Sequence, residues 1–269
     1  GMAASDIDYI YAGDLLGQLI ATSFGLMRYE IPMFGLYGAC STMGEALSLG
    51  AMCVNAGYAQ NVIAIASSHF ASAEKQFRYP LEYGNQRPVA STWTVTGAGA
   101  YIVGDKPLDK KKCVLIKGIT TGKIVDYGVK DSMNMGACMA PAACDTIIQN
   151  LEDFERKETD YDRIITGDLG YVGQSILFDL MRGKEHDIKI NHMDCGMTIF
   201  DQNLQDTHAG GSGCGCAAAT LSAYILPKIS RGEWKRVLFV PTGALMSTVS
   251  YNEGASVPGI AHGIVLEHC

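Results

Sequence analysis

The sequence predicts an α/β protein made of two pseudo-symmetric βαβ halves, and three matched segment pairs carry that expectation. Asp6-Ile7-Asp8-Tyr9-Ile10-Tyr11-Ala12-Gly13-Asp14-Leu15 is echoed by Asp160-Tyr161-Asp162-Arg163-Ile164-Ile165-Thr166-Gly167-Asp168-Leu169. Gly38-Ala39-Cys40-Ser41, a helix rich in Ala and Leu, and the run from Gly57 to Ile63 parallel Gly213-Cys214-Gly215-Cys216, an Ala-rich helix, and the run from Gly232 to Leu238. Gly97 to Val103 pairs with Gly259 to Val265. Three matches in one order indicate two copies of one supersecondary unit, with a site shared between them.

Each element follows from local pattern. Short apolar runs at 8–13, 61–67 and 98–104 read as strands, and 163–167, 236–242 and 259–267 repeat them. Helical stretches separate the first two strands of each set, so a largely parallel sheet is expected. The second half also has a strand at 113–119 and a helix from Pro141 to Glu155 ahead of its Asp160. The first half has only five residues ahead of Asp6, so the repeat predicts a first copy short of an N-terminal strand and helix. The boundary between the halves is placed in Asp105 to Lys112, giving units 1–108 and 109–269. Gly1 ahead of Met2 reads as a leftover of expression.

Composition limits the function classes. With 269 residues and 48% hydrophobic content the chain can bury a large core, while its 18% charged fraction suits hidden subunit interfaces. A net charge of -7 argues against a nucleic-acid partner, which needs concentrated Lys and Arg. The basic run Lys106 to Lys112 is broken by acids and Pro107 and reads as a solvated linker. Nine cysteines without a regular framework read as reduced thiols. No apolar stretch approaches the roughly 20 residues that a membrane-spanning helix needs.

Several segments carry candidate chemistry. Cys40 lies where an apolar strand turns through small residues into a helix starting near Thr42, the geometry of a nucleophile elbow. The positive end of a helix there favours thiolate, and a small buried residue packed at the turn is the alternative. The Gly-rich run Ala209 to Cys216 sits at the matching turn of the second half. It suits either an anion at a helix N-terminus or close helix packing. Cys214 and Cys216 alone make no zinc site, and no metal or cofactor is expected. His69 ends a predicted strand, where open α/β sheets bind ligands, while His262 reads as a core residue and His186, His192, His208 and His268 carry no motif. The polar and aromatic connection Glu74 to Pro88 is either a functional loop or an interfacial one, with Arg78 and Arg87 able to grip a carboxylate. Met135, in the soft run Asn134 to Ala143, is a candidate pocket wall.

With Cys40 at an elbow in the first of two repeated halves, the chain resembles the thiolase superfamily. Leu36 to Thr42, Ala66 to His69, Gln76 to Pro80, Thr94 to Gly99, Met139 to Ala143, Thr166 to Leu169, Asp194 to Met197 and Ala209 to Cys214 are similar to the stage V sporulation protein AD family across the whole chain. The resemblance implies a thiolase-like fold layered α/β/α/β/α. It also implies binding of dipicolinic acid, pyridine-2,6-dicarboxylate, free or as its calcium chelate, in support of its uptake into the developing spore. Expected partners are membrane proteins of the same sporulation operon and a second copy of the chain. The expected location is the cytoplasmic side of the spore inner membrane, held peripherally.

Condensing relatives in the superfamily use two further groups beside the cysteine, where this chain has Gly167-Asp168 and Gly210-Gly211-Ser212. Loss of the base and of the charge-stabilising donor points to binding rather than turnover. The ligand set expected on that reading is Cys40, His69, Arg78, Tyr79, Met135, Asp168, Gly211 and Ser212. The alternative is an acyl-transfer or condensing enzyme with Cys40 as nucleophile and His69 as an unusual base.

Overall fold

A computed structural model describes residues 2–77, 87–107, 109 and 113–269, with the backbone alone for 75–77. The first half runs β1 (Tyr9–Asp14), α1 (Ile20–Leu26), β2 (Met33–Gly35), α2 (Thr42–Asn55), β3 (Asn61–Ser68), α3 (Phe70–Phe77), β4 (Trp93–Thr94) and β5 (Gly97–Gly104). The second half opens with β6 (Val114–Thr120), α4 (Met135–Asp153), β7 (Arg163–Thr166), α5 (Gly170–Arg182), β8 (His192–Asp194) and α6 (Cys195–Thr198). It continues with β9 (Gly211–Ser212), α7 (Cys214–Thr220), α8 (Leu226–Ser230), β10 (Arg236–Val240), β11 (Thr242–Ala244), α9 (Thr248–Asn252), β12 (Gly259–Ala261) and β13 (Gly263–His268).

Two open sheets form the frame. The first has the order β2-β1-β3-β5 and the second β6-β13-β10-β7-β8. In each, the matched strands occupy matched places, β1 with β7, β2 with β8, β3 with β10 and β5 with β13. Strand β6 is the surplus member, as the repeat predicts. The sheets are parallel only in part, because β5 runs antiparallel to β3 and β13 antiparallel to both β10 and β6. Strand β3 alternates half-buried and buried residues, so one face meets the core, whereas Val237 to Val240 of β10 are all buried between layers.

Helices α2 and α7 lie in the middle layer. Met43, Ala46 and Leu47 of α2 and Cys214, Cys216, Ala217 and Ala218 of α7 share one core with Val62, Ala64 and Ala66 of the first sheet and Val237, Phe239 and Ile264 of the second. The halves are therefore fused through a common interior. A second core lies on the far side of the second sheet, under α4 and α5. Those helices touch through backbone, since a Cβ on Gly136 would sit 2.9 Å from the Gly173 Cα.

Two expectations change. Helix α4 begins at Met135 and carries Pro141 inside it, six residues earlier than a start at Pro141. Asn134 caps it by accepting from the Ala137 amide at 3.2 Å. Proline forfeits one helical hydrogen bond, but Cys138, Met139, Ala140, Ala142 and Ala143 around it are all buried, and that packing overrides the local preference. The cysteines are not all free either. Cys113 and Cys269 form a disulfide, with Cα atoms 5.8 Å apart. Among the described residues no helix is long and apolar enough to cross a membrane.

Candidate functional site

Cys40 stands on an elbow. β2 ends at Gly35, Ala39 takes a left-handed φ of 51°, and a single 3-10 turn over Ala39–Ser41 leads into α2. The turn is tied by Thr42 Oγ1 donating to the Ala39 carbonyl at 2.7 Å and by Ser41 Oγ donating to the Gly38 carbonyl at 2.6 Å. A strained backbone held by two side-chain hydrogen bonds fixes where the thiol points. Cys40 is buried at 4% exposure.

Across the junction the thiol faces the carboxyl of Asp168, which follows β7, closely enough for each to shift the other's protonation. Asp168 Oδ2 accepts from the Gly213 amide at 2.8 Å, and Oδ1 accepts from Thr242 Oγ1 at 2.8 Å. Burial pushes the Asp168 carboxyl up to about 7, against the pull of these donors. Burial together with the Asp168 and Cys214 charges drives the Cys40 thiol well above its ordinary range. The helix-end effect expected from sequence is outweighed, and Cys40 is held as a protonated thiol.

The Gly-rich turn also departs from expectation. Gly213, at φ 104°, gives its amide to Asp168, and the Gly215 amide donates to Ser68 Oγ at 3.1 Å. Two amides suited to an anion thus hold the protein's own groups. Gly211 and Ser212 form β9 beside β4, where the Gly210 and Ser212 carbonyls accept from the Trp93 and Val95 amides at 2.8 and 2.9 Å. Asp194, at the end of β8, accepts from Thr166 Oγ1 at 2.6 Å and from the Leu169, Gly170 and Met197 amides at 2.9, 3.1 and 3.2 Å. It thereby sets the turn that carries Asp168. His192 lies between Thr166 and Gln174, and burial pushes it down to about 3, so it stays neutral.

Beside this buried cluster a cleft of about 1250 Å³ opens at the C-terminal ends of β1 and β3, the end where α/β sheets bind ligands. Asp14, Leu15, Tyr37, Ser67, Ser68, His69, Thr96 and Ser247 are among its walls. His69 is exposed there, at the place the sequence predicts. Cys40 and Asp168 do not line the cleft. They lie next to its wall, because Cys214 Sγ donates to the Ser67 carbonyl at 2.8 Å while Ser68 Oγ donates to the Val95 carbonyl at 2.6 Å.

Met135 packs into the second core beneath α4 and α5, and is not among the cleft residues. Arg78 and Tyr79 lie outside the described residues. The Arg87 side chain is buried over the Trp93 ring at 4.2 Å and donates to the Asp206 carbonyl at 2.7 Å, a structural placement. Two features went unassigned in the sequence, Asp14 and the wall from Leu245 to Ser250. Asp14 is the repeat partner of Asp168, and that match was the signal available. Its Oδ2 accepts from the Thr22 amide and hydroxyl at 2.9 and 2.7 Å, and Oδ1 from the Leu16 amide at 3.0 Å. Those bonds fold the segment leading into α1.

Residues 1–267 match the family described as stage V sporulation protein AD. The chain is 41% identical over 266 residues to stage V sporulation protein AD of Bacillus subtilis (strain 168), covering 99% of this chain and 77% of that protein. Among solved structures, a tetronic acid condensing enzyme superimposes with a TM-score of 0.65 at 14% identity, over 99% of this chain and 80% of the other. The 3-oxoacyl-[acyl-carrier-protein] synthase III of Aquifex aeolicus VF5 does so with a TM-score of 0.58 at 14% identity, over 99% and 79%. At these identities the structural likeness concerns the fold, which is thiolase-like.

Proposed function

This chain belongs to the stage V sporulation protein AD family, and from that premise we propose that its cleft binds dipicolinic acid and supports the acid's uptake into the developing spore. The observation that carries the binding reading is the pairing of Cys40 with a buried carboxyl. Among the described residues no histidine is a partner of this thiol held protonated beside Asp168, so nucleophilic attack loses its activation. The cleft beside it is open and rich in hydroxyls, with Ser67, Ser68, Ser72, Thr96, Ser247, Thr248 and Ser250 on its walls.

The charge balance of the cleft favours the calcium chelate over the free dianion. Among its described lining residues Asp14 is the one acid and His69 the one basic side chain. Among the described lining residues a dianion finds no Lys or Arg, whereas the hydroxyl groups suit a neutral chelate. Titration calorimetry with dipicolinic acid, with and without calcium, tests this. Saturable binding, tighter with calcium and weakened about tenfold or more by His69→Ala, is expected, and no heat in either condition sinks the reading. Acyl transfer from Cys40 is the competing chemistry. An acyl adduct on Cys40 after incubation with acyl-coenzyme A, seen by mass spectrometry, would replace binding with catalysis.

The same reading includes a second copy of the chain. Among the described residues strand β2 is an open edge with all three residues exposed, Phe34 included, and Ile20, Phe24, Met27 and Tyr29, in α1 and the turn after it, are exposed apolar side chains. An unpaired edge framed by such residues is a pairing surface. Work beside membrane proteins of the same operon, at the cytoplasmic side of the spore inner membrane, belongs to this proposal through family membership.

A further inference from the structure

The ladder between β6 and β13 places two cysteines face to face. His268 pairs with Val114 in antiparallel register, so the next position outward sets Cys269 opposite Cys113. Their Cα atoms lie 5.8 Å apart, within the span of a disulfide. Both can meet solvent, since Cys269 is exposed and Cys113 half-buried. Of the other seven cysteines six are buried and Cys53 is half-buried. Cys269 is the one exposed cysteine, and Cys113 is the cysteine that the ladder sets opposite it.

Its position in the fold gives the bond a consequence. Among the described residues strand β6 is the outer strand of the second sheet and pairs with β13 alone. The disulfide spans 156 positions and encloses every strand and helix of the second half. A cross-link closing so long a loop restricts the unfolded chain strongly, and here it also fastens an edge strand at its free end.

We infer that Cys113 and Cys269 form a redox-controlled clasp that closes the second half into a covalent ring under oxidising conditions and leaves the end of β6 free to open under reducing ones. The exchange partner is a low-molecular-weight disulfide such as oxidised glutathione. The Cys269 thiolate attacks its sulfur–sulfur bond and expels one glutathione thiolate. The Cys113 thiolate then attacks the protein sulfur of the mixed disulfide and expels the second. Two protein thiols lose two protons and two electrons, and the small disulfide is reduced to two thiols. This clasp is independent of what the cleft binds.

The test equilibrates the whole protein in reduced or oxidised glutathione, traps free thiols with N-ethylmaleimide, and maps peptides without reduction. Oxidised protein is expected to yield one cross-linked pair containing Cys113 and Cys269, while reduced protein carries the label on both. The thermal midpoint is expected to be roughly 5–15 °C higher oxidised than reduced. That difference should vanish in Cys269→Ser, with Cys113→Ser as a second variant should the first fold poorly. Full labelling of both cysteines after oxidation, or equal midpoints in the two wild-type states, overturns the inference.

Discussion

At the scale of single residues, Asp14 and Asp168 show how a duplicated sequence acquires two functions. Both follow a glycine at the end of a β-strand, yet Asp14 folds its own loop through Thr22 and Leu16, whereas Asp168 bonds to Gly213 and Thr242 and faces Cys40. The folded pKa of about 7 lies above the ordinary carboxyl value of 3.8, so the native state binds this proton more tightly than the unfolded chain. The contribution of the group to stability is whole below pH 3.8 and is lost as pH rises through 7. Urea unfolding between pH 5 and pH 8 is expected to show a fall in stability that Asp168→Asn lacks, about 3 kcal/mol at most. Equal slopes for the two proteins would mean that the carboxyl ionises freely. A second expectation concerns Cys40. Held as a buried thiol, it should react with iodoacetamide at pH 7.5 at least tenfold more slowly than the half-buried Cys53, measured by peptide mass.

At the scale of elements, the junction depends on how closely α7 approaches the first sheet. A Cβ on Gly215 would lie 2.4 Å from the Gly97 carbonyl oxygen and 2.8 Å from the Ser68 amide nitrogen, so both neighbours are backbone that cannot swing away. Gly215→Ala is therefore expected to lower stability by about 1–3 kcal/mol, read from the denaturant midpoint. The same change should displace the wall of the cleft at Ser67 and Ser68 and weaken ligand binding. The small residues of this turn were legible in the sequence as either an anion seat or a packing device. The choice went to packing because Asp168, 45 positions earlier, supplies the anion. Helix α4 teaches the converse, since its proline marks a start by local rules and lies well inside the helix once buried small residues line up against α5 and β12.

At the scale of the whole molecule, the two sheets share an interior built from α2 and α7, while a second core lies within the second half alone. Apolar surface remains outside, along α1 and β2. Phe24 is 71% and Met27 68% exposed. Size-exclusion chromatography with light scattering is expected to give a dimer, and the double change Phe24→Asp with Met27→Asp to give a folded monomer with an unchanged circular dichroism spectrum. A monomeric wild type at micromolar concentration would remove the second copy from the proposal.

The sequence by itself determined the duplication, the principal strands of each half, the elbow at Cys40, the strand end that carries His69 and the family. These are local or repeated signals, carried by apolar periodicity and by short motifs whose meaning does not depend on distant partners. Only the tertiary structure decided what faces Cys40, what the glycine-rich turn holds, that Met135 and Arg87 serve packing, and that Cys113 meets Cys269. Each of those depends on groups more than 40 positions apart, brought together by two sheets closing on a shared helical layer. Burial in that layer, rather than residue type, set the protonation of Cys40 and Asp168.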